Sequence, residues 1–360
     1  MSVELPVTEF ARRDWQESTG GTVRFALVGL GWWTVEEGIP AIAESTLCET
    51  TVVVSGARDK AQRVAADHET IERALTYDAF LDGEAREAYD AVYVATPNAL
   101  HLPYVEAAAE FDKAVLCEKP AEATAERAAL LADAATETNA PVMIAYRMHT
   151  DPAVRRAREL ITAGDIGDPV HVHGSMAQPL LEMNPNTEQW RLDPELTGYG
   201  ATVMDLGVYP LNTARFLLDA DPVAVTAQFN SDHGAFGDVP DEHASFQATF
   251  DDGTAVNCTA SQNAQKSSHL RVIGTDGEIL LEPVFYHDET RRMTVRIGET
   301  TAEVTVPPIN QMTEEFDYLA DCVLTDSDPL PDADHGLVDL EAMAAIYEAA
   351  ATDERVTVGE

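Results

Sequence analysis

The chain has 360 residues, enough for two domains with sizeable cores, and 45% of them are hydrophobic. Against 23 Lys and Arg stand 63 Asp and Glu, a formal charge of −40, which excludes general nucleic-acid binding and attraction to an anionic membrane. The carboxylates are spread along both halves among ordinary amounts of apolar residue, so this is neither a disordered acidic chain nor a globule with an acidic tail.

Val23–Val28 is a short apolar run of the kind a buried parallel strand requires. The Gly29-Leu30-Gly31-Trp32-Trp33-Thr34 turn follows, and then a helical stretch through Ile39–Ala43. Thr51–Val54 reads as a second strand and Ala57–Ala66 as a helix. Ala91–Ala95 is a strand broken by Thr96-Pro97-Asn98, with a helix over Pro103–Glu110. Ala114–Cys117 leads into Glu118-Lys119-Pro120, with Pro120 opening a helix over Ala123–Thr138, and Val142–Tyr146 closes the series. This β-α-β alternation predicts a parallel, doubly wound α/β sheet.

The pattern changes near residue 150. A helix over Pro152–Ala163 leads through Gly164–Pro169 to a strand over Val170–Ser175, and a helix spans Leu206–Leu218. Strands then come without helices between them: Val223–Phe229, Ala244–Phe250, Thr254–Ser261, His269–Gly274 and Glu278–Glu282. Turn signals at Asp252-Gly253 and Asp276-Gly277 predict a largely antiparallel open sheet in an α+β domain. Residues 311–326 and 336–350 read as terminal helices. The expected division is an N-terminal arm over 1–21, a doubly wound α/β domain over 22–148, and an α+β domain over 149–360.

Only four lysines remain, Lys60, Lys113, Lys119 and Lys266. Dispersed carboxylates with few lysines predict adaptation to molar salt, where counterions screen self-repulsion. Cys48, Cys117, Cys258 and Cys322 form no CxxC pair, so free, mostly buried thiols in a reducing cytoplasm are expected. There is no apolar run of about 18 residues and no signal peptide ahead of the first strand.

Gly29 and Gly31 permit a tight turn and close approach of a pyrophosphate to backbone N–H groups. Thr34 stands where a third glycine is usual, and alone the motif is equally an ordinary strand-to-helix turn. At the end of the second strand, an NAD-preferring site would carry Asp or Glu. Here Ser55-Gly56-Ala57-Arg58-Asp59-Lys60 offers a hydroxyl and two cations suited to the 2′-phosphate of NADP, or else a solvated helix start with a salt pair at Asp59. Lys119, retained at a strand's carboxyl end, invites a functional explanation.

Jointly, Gly29 to Gly31, Ala95-Thr96-Pro97-Asn98-Ala99-Leu100-His101, Glu118-Lys119-Pro120, Ala145-Tyr146-Arg147 and Gly164–Gly167 resemble the Gfo/Idh/MocA oxidoreductase family over nearly the whole chain. The resemblance implies a Rossmann domain that holds NADP through Gly29, Leu30, Gly31, Trp32, Trp33, Ser55, Arg58, Lys60, Thr96, Pro97, Asn98, His101, Glu118, Lys119 and Arg147. His101 reads either as a cofactor or substrate contact or as a surface residue at a helix start.

Many family members carry Asp-x-Gly-x-His-x-x-Asp; this chain has Asp205-Leu206-Gly207-Val208-Tyr209-Pro210-Leu211-Asn212. Tyrosine in place of histidine, with Gln189-Trp190-Arg191-Leu192 upstream, resembles the glucose-fructose oxidoreductase and dihydrodiol dehydrogenase branch. Overall likeness to sugar dehydrogenases of salt-loving archaea implies oxidation of an aldopyranose at C1, D-xylose to D-xylonolactone.

Such chemistry needs a hydride acceptor and a base. Tyr209 is the candidate base, its phenol favoured toward phenolate by the Lys119 ammonium. Asp205, four residues earlier on one helix face, orients Lys119 or binds a sugar hydroxyl. Trp190, Arg191 and Asn212 complete the implied substrate set, with Trp190 facing the sugar's C–H surface. His171 and His173 share a strand face, but the mechanism needs no metal and a sheet-face pair is the expected reading. The alternatives are a glucose-fructose oxidoreductase or dihydrodiol dehydrogenase-like enzyme, or a non-catalytic NADP- and sugar-sensing regulator. The expected partners are a small sugar and further copies of the chain, as a dimer or tetramer.

Overall fold

A computed structural model describes residue 15 and residues 20–359. Apart from Trp15, Gly20 and Gly21, the expected arm lies outside the described residues. The chain divides into two compact units, Arg13–Arg147 with Asn310–Leu337, and a second comprising 148–309 and 338 onward.

In the first unit, β1 (Val23–Val28), β2 (Cys48–Val54), β3 (Arg73–Leu75), β4 (Ala91–Val94), β5 (Ala114–Glu118) and β6 (Val142–Ala145) form a parallel sheet in the order β3-β2-β1-β4-β5-β6. The order reverses direction at β1, the switch point at which such sheets open a ligand crevice beyond their carboxyl ends. Buried Phe25, Leu27, Val53, Tyr93 and Leu116 build one core.

That core is completed by the helix Gln311–Thr325, whose Phe316 ring meets Phe25 and Tyr93 edge-on at 5.1 Å each. Residues 310–337 therefore belong with the nucleotide-type sheet, which corrects the simple division at residue 148. The helix has an ordinary apolar stripe, and nothing local in it specifies which sheet it covers. Trp15 also docks there, donating its indole N–H to Glu314 Oε2 at 2.8 Å. Pro331 extends the other margin, its carbonyl accepting the Ile144 N–H at 3.1 Å.

In the second unit, β7 (Pro169–Pro179), β8 (Pro222–Asn230), β9 (His243–Phe250), β10 (Ala255–Ser261), β11 (Asn263–Gly274), β12 (Gly277–Leu281), β13 (Arg291–Ile297), β14 (Thr300–Val306) and β15 (Val356–Thr357) form one sheet, ordered β14-β13-β12-β11-β7-β10-β9-β8-β15. All neighbours are antiparallel except β7 and β10. The hairpin β13–β14 is additional to the strands read from sequence.

The helix Val208–Leu218 lies against this sheet, where Gly174 admits it: a Cβ there would come within 2.4 Å of the Pro210 Cβ. Its far side is fixed by a buried network. Asn212 Nδ2 donates to Asp339 Oδ2 at 2.7 Å, and Arg215 Nη1 donates to Asp339 Oδ1 at 2.8 Å. A second buried pair, Arg291 with Asp151 at 2.8 Å, ties β13 to the start of the helix Pro152–Thr162, where Asp151 also accepts the N–H groups of Ala153 and Val154.

Candidate active site

The first unit gathers the nucleotide-type residues at the carboxyl ends of β1, β2, β4 and β5. Gly29 has φ +95°, and a Cβ there would press to 2.6 Å from the Ala95 carbonyl oxygen, so both the conformation and the close approach require glycine. Gly31 is exposed, with open space around it, as a cradle for a pyrophosphate needs. Thr34, in the third glycine's place, is fully buried and donates its hydroxyl to the Gly29 carbonyl at 2.6 Å, so it closes the turn. The chain then makes a π-helical turn, Thr34–Gly38, before Ile39–Glu44 continues as α-helix. Leu30 is buried and Trp32 lies 67% exposed beside the loop.

Ser55, buried, follows β2, while Arg58 and Lys60 stand exposed at the start of the helix Arg58–Ala66. Two exposed cations near a hydroxyl and a glycine suit a phosphate monoester. Asp59 pairs with Arg63 at 3.6 Å, the alternative salt pair foreseen for this helix.

Past β4, Thr96 and Asn98 are buried and Pro97 is half-buried. His101 is fully buried, which corrects its reading as a cofactor contact or a surface residue. Its Nε2 lies 2.9 Å from the Thr96 carbonyl oxygen and its Nδ1 3.2 Å from that of Ala121. It therefore ties the Thr96 loop to the loop following Lys119. That second loop also departs from expectation, since Pro120 opens no helix; the helix is Ala125–Thr136, capped by Thr124 accepting the Arg127 N–H at 3.3 Å.

Glu118 ends β5 and Lys119 follows it, both half-buried. Glu118 Oε1 accepts from the Trp33 indole at 3.0 Å and from the Tyr93 hydroxyl at 2.6 Å, and its Oε2 accepts from the Lys119 backbone N–H at 3.2 Å. Arg147 places its guanidinium 5.7 Å from the centre of the Trp33 ring. Burial, reinforced by Glu118, holds the Tyr93 hydroxyl well above its ordinary pKa, so it remains a proton donor. Beneath them Glu315 is buried; its desolvation, then Glu118, push its carboxyl far above the carboxylate range against the opposing pull of Arg147. Sequence reading missed Tyr93 and Glu315, although Met312, Glu315, Phe316 and Leu319 follow a helical spacing that puts Glu315 on the apolar face.

The second unit carries Asp205, Tyr209, Trp190 and Arg191. Asp205 and Tyr209 do not share one regular α-helix: Val203–Gly207 is a π-helical turn, and α-helix begins at Val208. The turn is organised by Asp241, whose carboxylate accepts the N–H groups of Ala201, Thr202 and Val203 at 2.7, 2.9 and 2.8 Å and the Tyr347 hydroxyl at 2.5 Å. Four donors on one buried carboxylate are a strong cap, with no sequence neighbour to betray it.

Asp205 Oδ2 accepts from Arg191 Nε at 3.0 Å and from Gln262 Nε2 at 2.9 Å, while Gln262 is itself bonded by Gln178 at 2.9 Å. Arg191 also lies over the half-buried Trp190 ring, 4.6 Å from its centre. Tyr209 is half-buried, its ring 5.8 Å from that of Phe285. Asn212 is 1% exposed and bonded to Asp339 and His149, so it anchors its helix and leaves the substrate set. His171 and His173 sit on the sheet face with rings 6.2 Å apart. All four cysteines are buried and free of disulfides. No helix among the described residues is long and apolar enough to cross a membrane.

Residues 23–146 match the family model described as oxidoreductase family, NAD-binding Rossmann fold, and residues 154–280 match the GFO/IDH/MocA C-terminal domain. The chain is 55% identical over 358 residues, 99% of each chain, to the D-xylose 1-dehydrogenase [NADP(+)] of Haloarcula marismortui. It is 30% identical to D-xylose 1-dehydrogenase (NADP(+)) 2 of Haloferax volcanii, covering 92% of this chain and 98% of that one. Among solved structures, the aldose-aldose oxidoreductase of Caulobacter crescentus complexed with glycerol superposes with TM-score 0.86 at 30% identity, covering 94% of this chain and 100% of that one.

Proposed function

The chain belongs to the GFO/IDH/MocA oxidoreductase family, and from that premise we propose that it oxidises D-xylose at C1 to D-xylonolactone with NADP as acceptor, Lys119 and Tyr209 handling the proton. The observation that carries the reaction is 55% identity over 99% of the chain to an NADP-dependent D-xylose 1-dehydrogenase.

The nucleotide-type residues fit NADP. The glycine turn leaves room for a pyrophosphate, and exposed Arg58 and Lys60 beside Ser55 suit a 2′-phosphate. Bound NADP supplies the hydride acceptor. Tyr209 takes the C1 hydroxyl proton as general base, and Lys119 holds the substrate hydroxyl through its ammonium. Asp205, fixed by Arg191 and Gln262, accepts a hydrogen bond from a sugar hydroxyl, and the Trp190 ring offers an apolar surface to the sugar's C–H face.

The chain works as a homo-oligomer, dimer or tetramer, through the exposed face of the nine-stranded sheet. Thr226, Gln228, Gln247 and Thr259 give this face a polar patch that Asp353 and Glu354 also line, and in molar salt, which screens those carboxylates, a second copy can cover it.

Mixing purified protein, NADP and a panel of aldoses in molar salt, and following NADPH absorbance, tests the reading. Fastest reduction with D-xylose is expected. No absorbance change with any aldose would dispose of it, and cofactor that stays bound through purification would favour a glucose-fructose oxidoreductase type of cycle.

A further inference from the structure

We propose that Glu118 is a positioning residue that locks the glycine-rich loop, through Trp33, to the backbone of Lys119, so that nucleotide binding and proton handling are set by one carboxylate. The part concerning turnover rests on the role given to Lys119 above; the part concerning nucleotide binding does not.

Glu118 is the last residue of β5, so its side chain leaves the sheet at the carboxyl edge, where it reaches Trp33 in the turn after β1. One oxygen holds the Trp33 indole at 3.0 Å and the Tyr93 hydroxyl at 2.6 Å; the other holds the Lys119 N–H at 3.2 Å. All three partners are donors, and only a carboxylate presents an acceptor on both oxygens at once. Tyr93 is fully buried and remains protonated, so it fixes the first oxygen in place. Trp33 lies two residues after Gly31, and the Arg147 guanidinium 5.7 Å from its ring centre holds the indole from another side. A shift of the loop therefore pulls on Glu118, and through it on the backbone of Lys119.

Glutamine at 118 has the same shape but cannot serve this arrangement. Its NH2 group must face either the Lys119 N–H or the Trp33 and Tyr93 donors, leaving one junction with two donors opposed. Loss of a hydrogen bond to a charged group is worth about 1.5–3 kcal/mol, on the order of tenfold or more in an equilibrium.

The test is a double-variant cycle on NADPH affinity, measured by titration calorimetry in molar salt without sugar, using Glu118→Gln, Trp33→Phe and the pair together. Each single change should weaken NADPH binding about tenfold, and the pair no more than either alone, because both break the same link. Losses that multiply to about a hundredfold, or singles within about twofold of the unaltered protein, overturn the proposal. The same sub-additivity is expected between Trp33→Phe and Tyr93→Phe, which share an acceptor oxygen, so a Glu118 variant that fails to fold leaves a decisive cycle. In turnover, Glu118→Gln lowers kcat as well as NADP affinity, whereas Trp33→Phe acts mainly on the KM for NADP. Equal effects of both variants on kcat would refute the link to Lys119, while an inert Lys119→Met would refute the catalytic role of that lysine and leave the NADPH cycle to decide the rest.

Discussion

Arg191 donates its Nε to Oδ2 of Asp205 at 3.0 Å, and Gln262 donates to the same oxygen at 2.9 Å. Asp205 is thus oriented by two donors from its own unit, and its carboxylate is held ready as an acceptor. Removing Arg191 loosens that acceptor and bares the Trp190 ring on which the guanidinium lies. Arg191→Ala is expected to raise the KM for D-xylose about tenfold with a smaller change in kcat, the scale of one charged hydrogen bond. Initial rates at saturating NADP measure this, and an unchanged KM would assign the pair to folding alone.

Tyr209→Phe removes the proposed base while keeping the ring that packs near Phe285. Turnover should fall at least about 100-fold, the usual scale of general-base loss. NADPH affinity by calorimetry should hold. Lys119→Met should fall comparably, because the ammonium proposed to hold the C1 hydroxyl is gone.

Arg58 stands exposed at the helix start beside Ser55. Arg58→Ala should raise the KM for NADP by about tenfold, a value typical of a charge-assisted contact, and leave that for NAD within about twofold. Parallel kinetics with the two nucleotides decide it, and equal changes would remove the 2′-phosphate from the assignment.

Glu315 is buried with its pKa well above the carboxylate range, chiefly through desolvation, with Glu118 raising it further and Arg147 opposing. At pH below its unfolded value both states hold the proton, and the contribution to stability is complete. As pH rises toward the folded value the unfolded chain releases its proton and the folded one does not, so stability falls. Glu315→Gln, uncharged throughout, should therefore gain melting temperature relative to the unaltered protein between about pH 5 and pH 8. A constant difference across that range would show that Glu315 is ionised in the fold.

Net charge of −40 predicts strong dependence on salt. The screening length is about 3 Å at 1 M and about 10 Å at 0.1 M, so dilution restores repulsion among neighbouring carboxylates. The melting temperature should drop steeply between those two conditions in sodium chloride. An equal melting temperature in dilute buffer would contradict adaptation to molar salt.

The parallel sheet was legible because its strands are continuous apolar runs separated by helices, and the glycine turn because Gly29 must take a positive φ against Ala95. Three short motifs, around Gly29, Thr96 and Glu118, were enough to locate the carboxyl edge. The hairpin β13–β14 carries a visible two-residue alternation, yet the charges and threonines on its open face left it unassigned from sequence. His101 and Asn212 were misread because a polar residue beside a motif looks available until its partners are known, and those partners lie as far off as Asp339.

By itself the chain's order of residues determined the strand-and-helix alternation, the glycine conformation and the acidic composition. Each of these depends on neighbours within a few positions or on totals over the whole. Only the tertiary structure decided that Gln311–Thr325 completes the first core, that Asp241 caps the turn leading to Tyr209, and that Glu118 gathers Trp33, Tyr93 and Lys119. The reason is that a buried carboxylate chooses its donors by proximity in space, and no pattern along the chain encodes that meeting.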